Sequence, residues 1–133
     1  MECLLDTHTL LWVLFDPAKL SARTRAIIED PENTIFVSPI SYWEISLKSG
    51  LGKLTLPDTD PSEIPPAAAK QGLMETAVTS EILSTFHKLP VNPDHRDPFD
   101  RLIIWQAIQA KLTLLSKDRS TASYTAHGLE YIW

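Results

Sequence analysis

The sequence predicts a three-layer α/β/α sandwich built on a mostly parallel central sheet. Short strand-like runs recur along the chain, and segments with helix start and stop signals stand between them. That alternation is the pattern of strands joined by helical crossovers. The first run, Glu2–Asp6, is apolar without alternation, as expected of a strand covered on both faces.

Thr7–Phe15 reads as a helix closed by Asp16-Pro17, and Ser21–Asp30 as a second helix capped by Ser21 and stopped before Pro31. Thr34–Ser38 is β-branched and aromatic, the composition of a second strand. Ser38-Pro39 opens a third helix that runs to Ser49 and stops at Gly50, with Glu44 inside it. Pro57–Pro66 is the poorest stretch for regular structure. Pro61 could start a short helix there, and the doubled Pro65-Pro66 is expected to break or reset it. Ala67–Gln71 reads as helical, Leu73–Val78 as a weak strand, and Thr79 to about Lys88 as another helix. Beyond the loop Leu89–Arg96 and the long helix described next, Leu112–Ser116 and Leu129–Trp133 read as strands. Between these two, Arg119–His127 is short and helical or irregular.

The stretch His95–Ala110 is the most informative. Asp97 is a good N-cap, Pro98 suits the first helical position, and Asp100 meets the positive end of the helix at the third. At 100° per residue, Ile103, Ile104, Ala107, Ile108 and Ala110 fall within about 80° of Asp100, whereas Arg101, Gln106 and Gln109 fall at or outside the edge of that arc. Asp100 therefore heads the buried face, with Asp97 about 60° away. A carboxylate aimed at a core needs a partner, because an unpaired buried charge is very costly.

With 133 residues the chain is read as one domain, 1–133, large enough for a real core. Its apolar fraction of 44% and charged fraction of 22% are ordinary for a soluble globular protein. The longest apolar run, Leu10–Phe15, is far too short to span a membrane. The acidic start leading straight into a strand does not resemble a secretion signal. The single cysteine, Cys3, excludes an internal disulfide and fits a reducing compartment, so the cytoplasm is the expected location. A net charge of −5 argues against a protein that grips duplex DNA along its length, but leaves room for cations or a basic partner.

In parallel sheets, ligands gather beyond the carboxyl ends of the strands. Asp6 ends the first strand and Asp118 lies two residues past a later one, while Asp97 and Asp100 open the helix before that later strand. Whether those two reach the same edge depends on how the helix packs. Each acid has a purely local explanation: Asp6 as a helix cap, Glu44 as an ion-pair partner of Lys48, Asp118 as a turn residue. Those explanations leave the shared edge of Asp6 and Asp118 a coincidence. Carboxylates held together raise one another's pKa and are best neutralised by a divalent cation. All-oxygen ligands favour Mg²⁺ or Mn²⁺ over zinc, and an ion so held suits phosphodiester hydrolysis.

The runs L-L-D-T-H at the start, S-x-x-S-x-W-E-I-x-x-K around Glu44, H-R-D-P-F-D-R-L-I-I-x-Q-A and L-L-S-x-D resemble the PIN-domain family, more narrowly the VapC-type toxin ribonucleases of prokaryotic toxin–antitoxin pairs. The resemblance covers nearly the whole chain. It implies a PIN-like nuclease domain over 1–133 that cuts single-stranded or loop RNA with Mg²⁺ or Mn²⁺. It further implies Asp6, Glu44, Asp100 and Asp118 as catalytic acids and metal ligands, Asp97 as an auxiliary ligand, and Ser116 as the hydroxyl residue before the last acid. A cognate antitoxin and a homodimer contact through the early helices are the implied partners. Lys48, Arg96 and Arg101, with Lys53, Lys117 and Arg119, are candidates for a rim that holds the RNA backbone, against simple charge balance of the acids.

The four histidines lack metal-ligand spacing and read as structural or surface residues, substrate contact being the lesser reading for His95. Trp12, Trp43 and Trp105 read as core or interface residues. Two rivals remain. A haloacid-dehalogenase-like phosphotransferase needs an acid where His8 stands, and a non-catalytic binding module would have no use for every acid.

Overall fold

The computed structural model describes all residues, 1–133. Five strands, β1 (Glu2–Leu5), β2 (Thr34–Val37), β3 (Met74–Glu75), β4 (Thr113–Leu115) and β5 (Glu130–Ile132), pair in parallel in the order β3-β2-β1-β4-β5. The helices are α1 (Thr7–Phe15), α2 (Ala22–Glu29), α3 (Pro39–Gly50), α4 (Ile64–Lys70), α5 (Ser80–Thr85) and α6 (Pro98–Ala110), with a 3₁₀ stretch over Arg119–His127.

β1 lies at the centre, and its side chains alternate between two cores. Leu4 joins Ile103, Ile104, Ala107, Leu114 and Tyr124 on one face, whereas Cys3 and Leu5 join Leu10, Ile35, Val37, Ile45 and Leu115 on the other. Cys3, Leu4 and Leu5 are fully buried. At about 1.5–3 kcal/mol for a buried Leu, this short strand stabilises both layers at once. The predicted three-layer arrangement is the one observed.

β1 has β2 on one side and β4 on the other, with Leu5 level with Val37 and Leu115. The chain crosses from β1 to β2 in one direction and reaches β4 in the other, which opens a crevice beyond the carboxyl ends of β1 and β4.

Two expectations are corrected and a third is resolved. The helical start at Pro61 is reset and not broken: a 3₁₀ turn over Pro61–Glu63 gives way to α4, with Pro65-Pro66 at its second and third positions. The amide hydrogens missing there are ones a first helical turn leaves unpaired. The strand expected over Leu73–Val78 contracts to Met74–Glu75. The residues that follow turn to α6 instead: Gln106 Nε2 donates to Thr76 Oγ1 at 2.6 Å and to the Ala77 carbonyl at 3.1 Å. Gln106 itself, placed by its angle outside the buried arc, is buried because these residues and α5 cover a second side of α6. Among the tryptophans, Trp105 is buried and donates Nε1–H to Thr85 Oγ1 at 3.2 Å. Trp43 is 58% exposed and packs edge-on against Phe99.

This packing separates two residues of one type on one helix. Gln106→Ala should lower unfolding free energy by about 1–3 kcal/mol through lost buried hydrogen bonds. Gln109→Ala, at an exposed site, should change it by less than about 0.5 kcal/mol. Urea denaturation of the two variants checks the contrast, and equal losses would overturn it.

Candidate metal centre

The crevice beyond β1 and β4 is where the acids meet. Asp6 follows β1 directly and caps α1, its Oδ1 accepting from the Thr9 amide at 2.8 Å. Its Oδ2 accepts from the Ser116 hydroxyl, which sits just past β4 on the adjoining strand. The Asp6 amide also donates to the Leu115 carbonyl at 3.3 Å. Thr7 and Thr9 complete the anchoring, with Thr7 Oγ1 donating to Ser41 Oγ of α3 at 2.9 Å and Thr9 Oγ1 to the Leu115 carbonyl at 3.0 Å. Asp6 is therefore clamped between the first turn of α1 and the end of β4, while Ser41 of α3 braces the neighbouring Thr7.

Asp97 caps α6 as predicted, its Oδ1 accepting from the amides of Phe99 and Asp100 at 2.9 and 3.0 Å. The amino end of α6 reaches the same edge of the sheet, so Asp100 joins Asp6 and Asp118. These three, with His8, Trp12 and Lys117, line an open cleft of about 420 Å³. Asp118 turns one oxygen, Oδ1, to the amide and hydroxyl of Ser120 and keeps Oδ2 towards the cleft side. Glu44, in the second turn of α3, is 3% exposed. Its Oε2 pairs with Lys48, whose ammonium also lies 3.9 Å from Asp97 Oδ2, while its Oε1 is buried with no hydrogen-bond partner.

The electrostatics follow from this crowding. Burial pushes the Asp6 carboxyl above its ordinary range, against the bonds from Ser116 and Thr9. Asp100 is pushed up to about 6, first by burial and then by the charges of Asp97, Glu44 and Asp6. For Asp118, partial burial acts upward but is outweighed by the hydrogen bonds from Ser120, which hold it below its ordinary value. Lys48 is held above its ordinary value, chiefly by its hydrogen bond to Glu44. One lysine does not balance five carboxylates. An unsatisfied Glu44 oxygen and an Asp100 that resists ionisation are what a set of cation ligands shows without the cation. Ligand atoms of Glu44, Asp97 and Asp100 lie within 4.8 Å of one another, and so do those of His95, Asp100 and Asp118. The donor set suits a divalent cation.

The basic rim divides. Arg96 and Arg119 are exposed, and Lys117 lies over the Trp12 ring at 5.9 Å beside the cleft. Lys48 is engaged by Glu44 and Asp97, the charge balance weighed from sequence. Arg101 is a correction: its Nη2 donates to the carbonyls of Leu89 and Pro90 at 3.2 and 2.8 Å, and its Nε to Tyr124 Oη at 3.3 Å. Its guanidinium pins a loop and is not free to meet RNA.

Sequence reasoning also passed over the position of His95. This residue is 7% exposed, with Nδ1 2.8 Å from Tyr124 Oη, and Nε2 3.5 Å from Asp100 Oδ2 and 3.8 Å from Asp118 Oδ2. A search for H-x-x-x-H spacing misses it, because the neighbours that define it lie 5, 23 and 29 residues away in sequence. Its one local signal is the short spacing to Asp97 and Asp100.

A family model described as PIN domain matches residues 3–126. The chain belongs to the PIN-domain family. Ribonuclease VapC22 of Mycobacterium tuberculosis is 30% identical over 134 residues, covering 98% of this chain and 97% of that protein. Ribonuclease VapC16 of the same organism is 38% identical over a 55-residue match, 41% of this chain and 39% of that protein's length. A chain in the structure of VapBC-1 from nontypeable Haemophilus influenzae superposes with a TM-score of 0.65 at 16% identity. That superposition covers 99% of this chain and 97% of that one. The fold of this PIN-domain chain thus follows a known one over nearly its whole length.

The raised carboxyls predict a pH dependence. An acid whose folded pKa exceeds its unfolded value stabilises the fold below the ordinary carboxylate range, and that contribution is lost as pH rises through the folded value. In EDTA-treated protein, the Asp100 contribution should fall between pH 4 and about 6. Asp100→Asn should flatten that part of the profile. A divalent cation should raise the melting temperature more at pH 7.5 than at pH 5. Thermal unfolding across pH checks this, and an equal cation effect at both pH values would overturn it.

Proposed function

We propose that this protein is a metal-dependent endoribonuclease that hydrolyses RNA phosphodiester bonds as the toxin of a toxin–antitoxin pair. Membership of the PIN-domain family and the ribonuclease names of the two curated relatives support the reaction class. The observation that carries the site is the meeting of Asp6, Glu44, Asp100 and Asp118, from four separate parts of the chain, at one edge of the sheet.

Mg²⁺ or Mn²⁺ is the proposed cofactor, held by Asp6, Asp100 and Asp118 with Glu44 and Asp97 beside them. When bound, the ion polarises the scissile phosphate, activates water and steadies the departing oxygen. The protein's own residues do the rest. Ser116 and Thr9 fix the Asp6 carboxylate, so it need not reorganise during the reaction. Glu44 Oε1, with no protein partner, is an acceptor that orients the attacking water by taking a hydrogen bond from it. Lys48, paired with the other oxygen, holds the Glu44 side chain in place for that task. Arg96, Lys117 and Arg119 supply positive charge along the RNA backbone, where screening by salt will weaken their hold.

The antitoxin is proposed as a protein partner, and the solved structures of VapBC-1 and of VapBC2 from Rickettsia felis share the fold. The half-buried apolar residues Leu11, Trp12, Leu14 and Phe15 of α1 support a homodimer or partner contact through the early helices. No helix is long and apolar enough to cross a membrane. The cytoplasm is the proposed compartment.

Asp6→Asn and Asp100→Asn should each lower RNA cleavage by at least about 100-fold, the scale of losing several kcal/mol of transition-state charge stabilisation. EDTA should abolish cleavage by the unaltered protein. Cleavage of total RNA by purified, folded variants is the assay. Full activity in either variant removes that residue from the site. Absence of any cation-dependent cleavage by the unaltered protein would favour a non-catalytic binding module.

A further inference from the structure

Apart from Asp6, the acids fall into two groups that share Asp100, and the groups differ in chemistry. Glu44, Asp97 and Asp100 form an all-oxygen group into which Lys48 already projects its ammonium. His95, Asp100 and Asp118 form a group with one nitrogen and no lysine. In that second group the His95 side chain is more than nine-tenths buried, and its Nε2 has no hydrogen-bond partner although it faces two carboxylates.

The distances favour a shared ion over direct hydrogen bonds. At 3.5 and 3.8 Å, Nε2 stands too far from the carboxylate oxygens for an N–H···O bond, which spans about 2.7–3.2 Å. Ligands about 2.1 Å from one ion lie about 3.0 Å apart at octahedral corners and about 3.4 Å apart at tetrahedral ones. The observed separations are close to those edges and need only a small contraction.

The far side of the ring fits the same role. Nδ1 is 2.8 Å from Tyr124 Oη, and Arg101 Nε donates to that oxygen from 3.3 Å. Ring packing of His95 against Tyr124, 5.5 Å between centroids at 71°, further restricts the imidazole. The Nδ1 contact is compatible with either ring tautomer. The one in which Nδ1–H donates to Tyr124 turns the Nε2 lone pair to the carboxylates, and it is the one a bound cation would select.

We propose that the divalent ion of this centre is coordinated by His95 Nε2 together with Asp100 and Asp118, and that this nitrogen ligand makes the protein favour Mn²⁺ over Mg²⁺. The proposal rests on reading the acids as a metal centre. An imidazole suits borderline transition ions, whereas Mg²⁺ takes oxygen ligands and water. Tyr124 is then a positioning residue that fixes the ring, and Arg101 acts through it.

The test uses the full chain, stripped with EDTA and loaded with Mn²⁺ alone, and reads directly bound ¹⁴N by pulsed electron paramagnetic resonance. The nitrogen signal should appear in the unaltered protein and in His8→Gln, which alters the histidine that lines the cleft. It should vanish in His95→Gln, with Mn²⁺ affinity falling at least about tenfold. Mg²⁺ affinity, read by competition, should move by less than about twofold. A triple variant, His8→Gln, His87→Gln and His127→Gln, leaves His95 as the single imidazole, so a retained signal supports the proposal even if His95→Gln does not fold. Bound Mn²⁺ with no nitrogen signal, or a signal that survives in His95→Gln, overturns the proposal and leaves the metal reading intact. Mn²⁺ not retained by the unaltered protein, or retained equally by Asp100→Asn, overturns both.

Discussion

Mutual repulsion among carboxylates is the constraint to which the rest of this structure answers. Asp6, Glu44, Asp97, Asp100 and Asp118 would move apart if they were free to, and burial makes their confinement more costly. Asp100 shows both effects, its carboxyl pushed up to about 6 first by burial and then by the charges around it. What holds the acids is the remainder of the fold: two apolar cores on opposite faces of one sheet, with the centre placed where the connections on either side of β1 diverge.

Rigidity reaches the centre from both layers. Ser116 joins the ends of β1 and β4 through the Asp6 carboxylate, so an acid that repels its neighbours also helps to fasten two strands. Thr7 ties α1 to α3 through Ser41, which fixes the base of the helix carrying Glu44. On the opposite face, Arg101 spends its donors on the Leu89 and Pro90 carbonyls and on Tyr124, holding the loop from which His95 enters. A cationic side chain beside the site thus works as an internal brace.

The fold was legible because its signals are local and consistent. Glu2–Asp6 has the composition of a strand covered on both faces, and Asp97-Pro98-x-Asp100 is a helix start whose cap appears with the expected partners. Asp6 and Asp118 could be placed at one edge by the rule for parallel sheets alone. The arrival of Asp100 at that edge is not legible in the sequence, because it depends on the path of the chain between Leu73 and Arg96. That path holds a two-residue strand and a long loop, with little periodicity to read. Helical angle gives direction about an axis but not how many neighbours surround it, which hides the burial of Gln106. Nearness to a charged motif does not reveal that Arg101 turns to the Leu89 and Pro90 carbonyls. Tyr124, 29 residues beyond His95, gives the imidazole its orientation, and no spacing rule reaches that far.

Lys48 has a consequence for how the chain comes into being. Small domains whose ligands are useless without their ion often stay unfolded until they capture it. Here an ammonium supplied by the polypeptide already sits between Glu44 and Asp97, four residues along the same helix from Glu44. Part of the counter-charge is therefore covalently tethered and present as soon as α3 forms. A newly synthesised copy carries one cation's share of the neutralisation within its own polypeptide, and an ion from solution has only the remainder to supply.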